Sequence, residues 1–268
     1  MNTAPAPRPH RPRRRFGQHF LVDPNIVARL VAALAPQPGE RIVEIGPGTG
    51  ALSDILATRL VPPSELYLIE LDRDLAAVLA ERYRHHAHIR VEQADALDYD
   101  FTALAAGRPL RLIGNLPYNI STPLLFHFFA AGGAFRDLTL MVQREVAARL
   151  LAAPGNRVYG RLSVMGQYHC TGEHLFDVPA TAFRPPPKVL SSVIRLIPRP
   201  PRLAGAAEYE RFATLVKTAF NQRRKTLRNC LAPLLDAEAI RAAGLDPQSR
   251  PEILAVEDFL RLVHPIVA

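Results

Sequence analysis

Apolar residues fall along the chain in two rhythms. Short apolar runs stop at glycines or acids, and between them lie segments with apolar residues three and four apart. The run Ile42–Ile45 stops at three glycines spaced two apart, Gly46, Gly48 and Gly50. Leu52, Ile55, Leu56 and Leu60 follow with helical spacing. The pattern predicts a buried strand, a tight turn and a helix. Upstream, Asp23 as a cap and Pro24 at the first position open a helix through Ile26, Val27, Leu30, Val31 and Leu34. Further strands are expected at Leu66–Glu70, Ile89–Glu92, Leu110–Gly114 and Leu138–Val142. Helices are expected from Asp72 to Arg84 and after Thr122-Pro123, with Thr122 as the cap. Leu162 to Cys170 is a further apolar stretch, Val189 to Ile197 has strand character, and Pro198-Arg-Pro-Pro-Arg202 reads as a linker. Beyond it Phe212, Leu215, Val216, Ala219 and Phe220 keep helical spacing, and no internal repeat is present. Strands alternating with helices predict an α/β sheet, followed by a small all-helical domain.

The division expected is a tail over 1–15, an α/β domain over 16–200 and a helical domain over 201–268. A chain of 268 residues, 48% hydrophobic, is long enough for both cores. The formal net charge of +8 and sequence pI near 10.0 favour a polyanionic partner without separating RNA, DNA and anionic lipid. Arginine supplies nearly all of it, since Lys188, Lys217 and Lys225 are the only lysines. The Pro- and Arg-rich residues 1–15 cannot build a core, and are either a solvated tail or an arm for phosphates. No apolar stretch reaches membrane-span length and no apolar signal segment follows the basic start, so a cytoplasmic protein is expected. Two distant cysteines, Cys170 and Cys230, with no ligand spacing around them, predict reduced buried thiols and no metal site.

The glycine turn lies where open α/β sheets bind ligands, at the carboxyl end of a strand. Glu70 ends the next strand and can accept hydrogen bonds from both ribose hydroxyls of an adenosine-containing cofactor. Asp95, just past a third strand, can accept an adenine's exocyclic amine; a simple capped turn is the alternative. The spacing Gly46-x-Gly-x-Gly50 is not that of nicotinamide or flavin enzymes. Asn115-Leu-Pro-Tyr-Asn-Ile-Ser121 follows a strand. It offers a side-chain carbonyl acceptor at Asn115, a stiff turn at Pro117 and a face for base stacking at Tyr118. Asn221-Gln-Arg-Arg-Lys-Thr-Leu-Arg228 sets Arg223, Arg224, Lys225 and Arg228 in one short run. That run is a solvated face or, in so basic a chain, a phosphate-contacting surface.

Preceded by an acid, Glu44-Ile-Gly-Pro-Gly-Thr-Gly50 resembles the first motif of S-adenosylmethionine-dependent methyltransferases. Together with Phe16-Gly-Gln-His-Phe-Leu21, Asn115-Leu-Pro-Tyr-Asn-Ile-Ser121, Phe183-Arg-Pro-Pro-Pro-Lys-Val and Phe220-to-Arg228, it makes five motifs in order. In these motifs the chain resembles the ribosomal RNA adenine N6-dimethyltransferases of the small subunit, from Phe16 to the C-terminus. In the first motif many relatives carry Asn where this chain has His19. The resemblance implies a Rossmann-like methyltransferase domain with a small helical domain. It implies S-adenosylmethionine as cofactor and two adjacent adenosines near the 3′ end of 16S rRNA, on an immature 30S subunit, as substrate. By motif match His19, Leu21, Gly46, Glu70, Asp95 and Asn115 would contact the cofactor. Asn115 and the Leu116 carbonyl would hold the adenine amine, with Tyr118 and Phe183 stacking on the base. The four cations of the Phe220-to-Arg228 motif would contact RNA, and a monomer is expected.

Three rivals stand beside this reading. One is a 23S rRNA adenine methyltransferase of the resistance type. Another is a DNA adenine methyltransferase, which usually carries Pro where Leu116 stands. The third is an RNA-binding small-subunit assembly factor whose methylation is secondary.

Overall fold

In a computed structural model, residues 18–222 and 225–264 are described. The expected tail, Phe16, Arg223 and Arg224 lie outside them.

The strands are β1 (Phe20–Leu21), β2 (Arg41–Ile45), β3 (Glu65–Glu70), β4 (Ile89–Gln93), β5 (Leu110–Asn115), β6 (Phe135–Gln143), β7 (Cys170–Val178), β8 (Phe183–Arg184) and β9 (Ser191–Pro198). The helices are α1 (Pro24–Leu34), α2 (Ala51–Arg59), α3 (Arg73–Arg82), α4 (Phe101–Ala105), α5 (Ser121–Ala130), α6 (Arg144–Leu151), α7 (Arg161–His169), α8 (Ala206–Asn221), α9 (Leu227–Cys230), α10 (Ala237–Ala242) and α11 (Val256–Arg261). The main sheet has the order β4-β3-β2-β5-β6-β9-β7, and β4 through β6 run parallel. From β2 the chain builds outward through β3 and β4. It then returns to β2's other side with β5 and β6, which makes the β2/β5 boundary the switch point of the sheet.

Two compact units divide the chain. The first comprises the residues up to Gln143 together with Leu175–Val193, and the second Arg144–His174 with Ile194–Ala268. The sequence places one boundary between 200 and 201; here 144–174 join the helical unit, because Tyr168 on α7 packs on Phe212 of α8, ring centroids 4.6 Å apart. Tyr159, fully buried, donates to the Leu254 carbonyl in the same unit (2.8 Å). Cys170 and Cys230 are buried free thiols there.

In the first unit, α1 follows its sequence signals. Asp23 Oδ1 accepts from the backbone N–H groups of Asn25 (2.8 Å) and Ile26 (3.3 Å), satisfying two otherwise orphaned donors. Its apolar stripe Ile26, Val27, Leu30, Val31 and Leu34 is buried. Helix α5 departs from expectation: Thr122 lies inside it, and the cap position falls on Ile120 with no side chain bonding the free N–H groups. Strand β7 has no counterpart in the sequence reading, since Thr171, Gly172, Glu173 and His174 are exposed and show no apolar alternation.

Far from the turns, Arg111 on β5 ties the sheet to α1. Its Nε donates to both Asp137 oxygens (3.1 and 2.9 Å), Nη1 to Glu40 (2.8 Å) and Nη2 to the Leu34 carbonyl (2.6 Å). Arg111 is 6% exposed and Asp137 7%, so the pair is buried and fully hydrogen-bonded.

Candidate functional site

A cavity opens at the carboxyl ends of β2, β3 and β5, at the switch point. It is lined by His19, Leu21, Gly46, Glu70, Asp95, Asn115, Leu116 and Tyr118, among others. Residues named from five separate stretches of sequence therefore line one cavity.

The glycine turn owes its shape to missing side chains. Gly48 has φ +59°, and a Cβ there would lie 2.9 Å from Phe20 Cδ1, so the Phe20 ring closes over a position only glycine can hold. Gly46 has φ +62°, and a Cβ there would find no atom within 4 Å. The backbone at Gly46 thus borders open cavity space.

Glu70 stitches this turn to β3. Its Oε2 accepts from Gly48 N–H (3.0 Å) and its Oε1 from Asp72 N–H (2.8 Å). A carboxylate has about four acceptor sites, so the ribose hydroxyls expected at Glu70 are compatible with these two bonds. Asp95 Oδ1 accepts from Leu97 N–H (2.9 Å), which is the turn anticipated as its alternative reading. Its other oxygen accepts nothing among the described residues.

Asn115 is the last residue of β5. Its Nδ2 donates to the His19 carbonyl (2.9 Å), which fixes which end of the amide faces where. Asn115 Oδ1 is then left buried with no hydrogen-bond partner. An orphaned buried acceptor is uncommon and costly, and it calls for a donor supplied by something else. Leu116 is 1% exposed, and its N–H is held by the Met141 carbonyl (3.0 Å).

Tyr118 is clamped at both ends. Its hydroxyl shares a hydrogen bond with Ser191 Oγ (2.5 Å), and its ring stacks on that of His19, centroids 5.5 Å apart at 27°. Burial raises the phenol's pKa, opposed by the Ser191 bond, so it stays neutral. His19 Nδ1 donates to the Pro185 carbonyl (2.7 Å), since a carbonyl can only accept. Sequence reasoning named neither Ser191 nor the Pro185 carbonyl; their partners lie more than 70 residues away and leave no local signal.

Phe183 departs from expectation. It is 2% exposed and belongs to the core with Leu21, Ile26 and Val193. The cause is the two-stranded pairing of β1 with β8, in which Leu21 faces Phe183 and Phe20 faces Arg184. That pairing joins the first and fourth motifs and turns the Phe183 ring inward, so its side chain offers no face for stacking in this arrangement. Lys225 and Arg228 are exposed and belong to the second unit. Arg223 and Arg224 lie outside the described residues.

These features match a wider group of proteins. The family described as "Ribosomal RNA adenine dimethylase" matches residues 9–267. The chain belongs to this family. It is 51% identical to the ribosomal RNA small subunit methyltransferase A of Nitrosococcus oceani, over 95% of this chain and 96% of that one. To the protein of the same name from Aromatoleum aromaticum it is 49% identical, over 97% and 96%. Among solved structures, the 23S rRNA methyltransferase ErmE aligns with a TM-score of 0.70 at 26% identity, covering 92% of this chain and 99% of that one. A dimethyladenosine transferase from Plasmodium falciparum shares the fold, with a TM-score of 0.77 at 24% identity over 91% and 96%. As a ribosomal RNA adenine dimethylase, the chain is a Rossmann-like, S-adenosylmethionine-dependent methyltransferase acting on adenine in ribosomal RNA.

The cavity suits that cofactor. The bare backbone at Gly46 leaves room for a ligand, acids at Glu70 and Asp95 offer acceptors to a nucleoside, and Glu44 adds a third carboxyl to a wall that must hold a cation. No helix among the described residues is long and apolar enough to cross a membrane.

Proposed function

We propose that this chain dimethylates N6 of two adjacent adenosines near the 3′ end of 16S rRNA, within an immature 30S subunit. It acts as a cytoplasmic monomer that needs no metal ion. The observation that carries the proposal is the buried, unpartnered Oδ1 of Asn115 at the carboxyl end of β5. High identity to proteins named for the small subunit supports 16S over 23S rRNA as substrate.

The chemical problem is a weak nucleophile: the adenine amine's lone pair is delocalised into the ring. S-adenosylmethionine supplies the electrophilic methyl, carried on a sulfonium. The protein must hold the amine in line and draw it toward tetrahedral geometry. Asn115 Oδ1 accepts one amine hydrogen and the Leu116 carbonyl the other. Tyr118, fixed by Ser191 and backed by His19, stacks on the base once it has left its helical stack. Glu70 holds the ribose of the donor, Asp95 its adenine, and the backbone at His19, Leu21 and Gly46 completes the pocket. The methylated nitrogen carries a positive charge, turns acidic and loses its proton to water afterwards, so no strong base is required. Orientation can then supply much of the acceleration, about 7–11 kcal/mol in favourable cases. Lys225, Arg228 and the flanking Arg223 and Arg224 bind RNA phosphates in this reading.

The test supplies labelled donor to unmethylated small subunits, naked 16S rRNA and 23S rRNA in parallel. Label recovered as N6,N6-dimethyladenosine at two adjacent sites near the 3′ end of 16S rRNA is the expected result. Label only in 23S rRNA moves the protein to the resistance type. Donor binding without any transfer makes it an assembly factor.

A further inference from the structure

One group on the cavity wall takes no part in the steps above. Glu44 lies on β2 and is 1% exposed. Its register partners on the flanking strands are apolar, Leu68 on β3 and Ile113 on β5. Ser53 Oγ donates to Glu44 Oε2 (2.7 Å), and no arginine, lysine or histidine pairs with it among the described residues. The charged groups that act on it are acids, Glu70 from β3 and Asp54 from α2. Arg82, which approaches from α3, is engaged with Asp54 (3.1 Å) and the Thr49 carbonyl (2.9 Å). Of the other titratable groups lining the cavity, Asp95 is a further acid, and the imidazole of His19 is held by Pro185 and Tyr118.

A carboxylate buried without a countercharge is strongly disfavoured, and such a group keeps its proton. Burial pushes the Glu44 carboxyl up to about 8; the Ser53 bond opposes this, and Glu70 and Asp54 add to it. The cavity's ligand, however, is a cation.

We infer that Glu44 surrenders its proton when the cationic donor enters the cavity, so that donor capture is coupled to proton release at this residue. The inference rests on the methyl-donor reading of the site. The carboxyl O–H bond breaks, the proton passes to water, and the carboxylate becomes the countercharge of the bound cation. Neutral adenosine ligands gain nothing from the exchange and leave the proton in place. Glu44 thereby makes the cavity select for positive charge as well as for adenosine.

Calorimetry at pH 7 in buffers of different ionisation enthalpy counts the protons. S-adenosylmethionine should release about one proton per site, and methylthioadenosine, which is neutral, about none. Between pH 6 and 7 the affinity for S-adenosylmethionine should rise by up to about tenfold, while that for methylthioadenosine stays flat. Glu44→Gln, which can still accept from Ser53, should abolish both the release and the slope. The wild-type comparison of the two ligands stands whether or not the variant folds. Donor binding with no proton released, or equal release in Glu44→Gln, overturns the inference and leaves the donor site intact. Absence of any donor binding overturns the donor-site reading as well.

Discussion

Gly46→Ala separates the folding role of the glycine turn from its binding role. Gly46 sits at φ +62°, where an alanine costs about 1–2 kcal/mol. Alanine also restricts the unfolded chain, which offsets about 0.4–1 kcal/mol of that cost. The added methyl meets no atom within 4 Å, so no clash is added in the free protein. The Gly46 N–H can keep its bond to the Ile69 carbonyl (2.9 Å). The net loss is about 1 kcal/mol, which lowers Tm by about 2–4 °C in a domain of this size. Donor binding should suffer more, because the methyl stands in open space on the cavity wall. A loss of affinity of at least about tenfold, or about 1.4 kcal/mol, is expected. Thermal unfolding of the free protein and calorimetric titration with S-adenosylmethionine measure the two effects separately. Wild-type affinity in a folded Gly46→Ala protein would refute the assignment of this space to the donor. A Tm drop several times larger would refute the claim that the space is empty.

Other perturbations have equally definite signs. Glu70→Ala removes the proposed ribose acceptor together with the clamp on Gly48 and Asp72, so the dissociation constant for the donor should rise at least about tenfold; an unchanged constant defeats the assignment. Arg111→Met leaves Asp137 buried without its cation and should cost about 3–5 kcal/mol in denaturant unfolding, with donor affinity in the folded fraction intact. Because the folded-state pKa of Glu44 is raised to about 8, the folded protein holds a proton the unfolded chain has lost above the ordinary carboxylate range. Its contribution is therefore fully present below the ordinary carboxylate pKa and is lost as pH rises toward 8. Free-protein stability measured between pH 5 and 9 should fall more steeply in wild type than in Glu44→Gln, and parallel curves would contradict this.

Much of the first unit was legible because its signals are local. Glycines spaced two apart, an Asp-Pro helix start and apolar runs ending in acids each mark one element. The sheet then carries Gly46, Glu70, Asp95 and Asn115 to one edge by topology alone. What was not legible depends on pairings distant in sequence. Phe183 stands two residues before a run of three prolines, where a loop is the local reading, yet its antiparallel pairing with Leu21 buries it. Strand β7 escaped notice because its exposed half is polar throughout. The shared boundary of α7 and α8 rests on Tyr168 and Phe212, which no local periodicity links. The His19–Tyr118–Ser191 clamp likewise joins three segments whose relation only folding reveals.

The account turns on one oxygen, Asn115 Oδ1. Asn115→Ala deletes it together with the amide's bond to the His19 carbonyl, worth about 0.5–1.5 kcal/mol of stability. Single-turnover methyl transfer to unmethylated small subunits, with enzyme in excess and donor saturating, isolates the chemical step. The account predicts a rate lower by about 10²–10³-fold, comparable to removing one preorganised hydrogen-bond partner of a transition state, with donor affinity within a few-fold of wild type. A rate within a few-fold of wild type would contradict it.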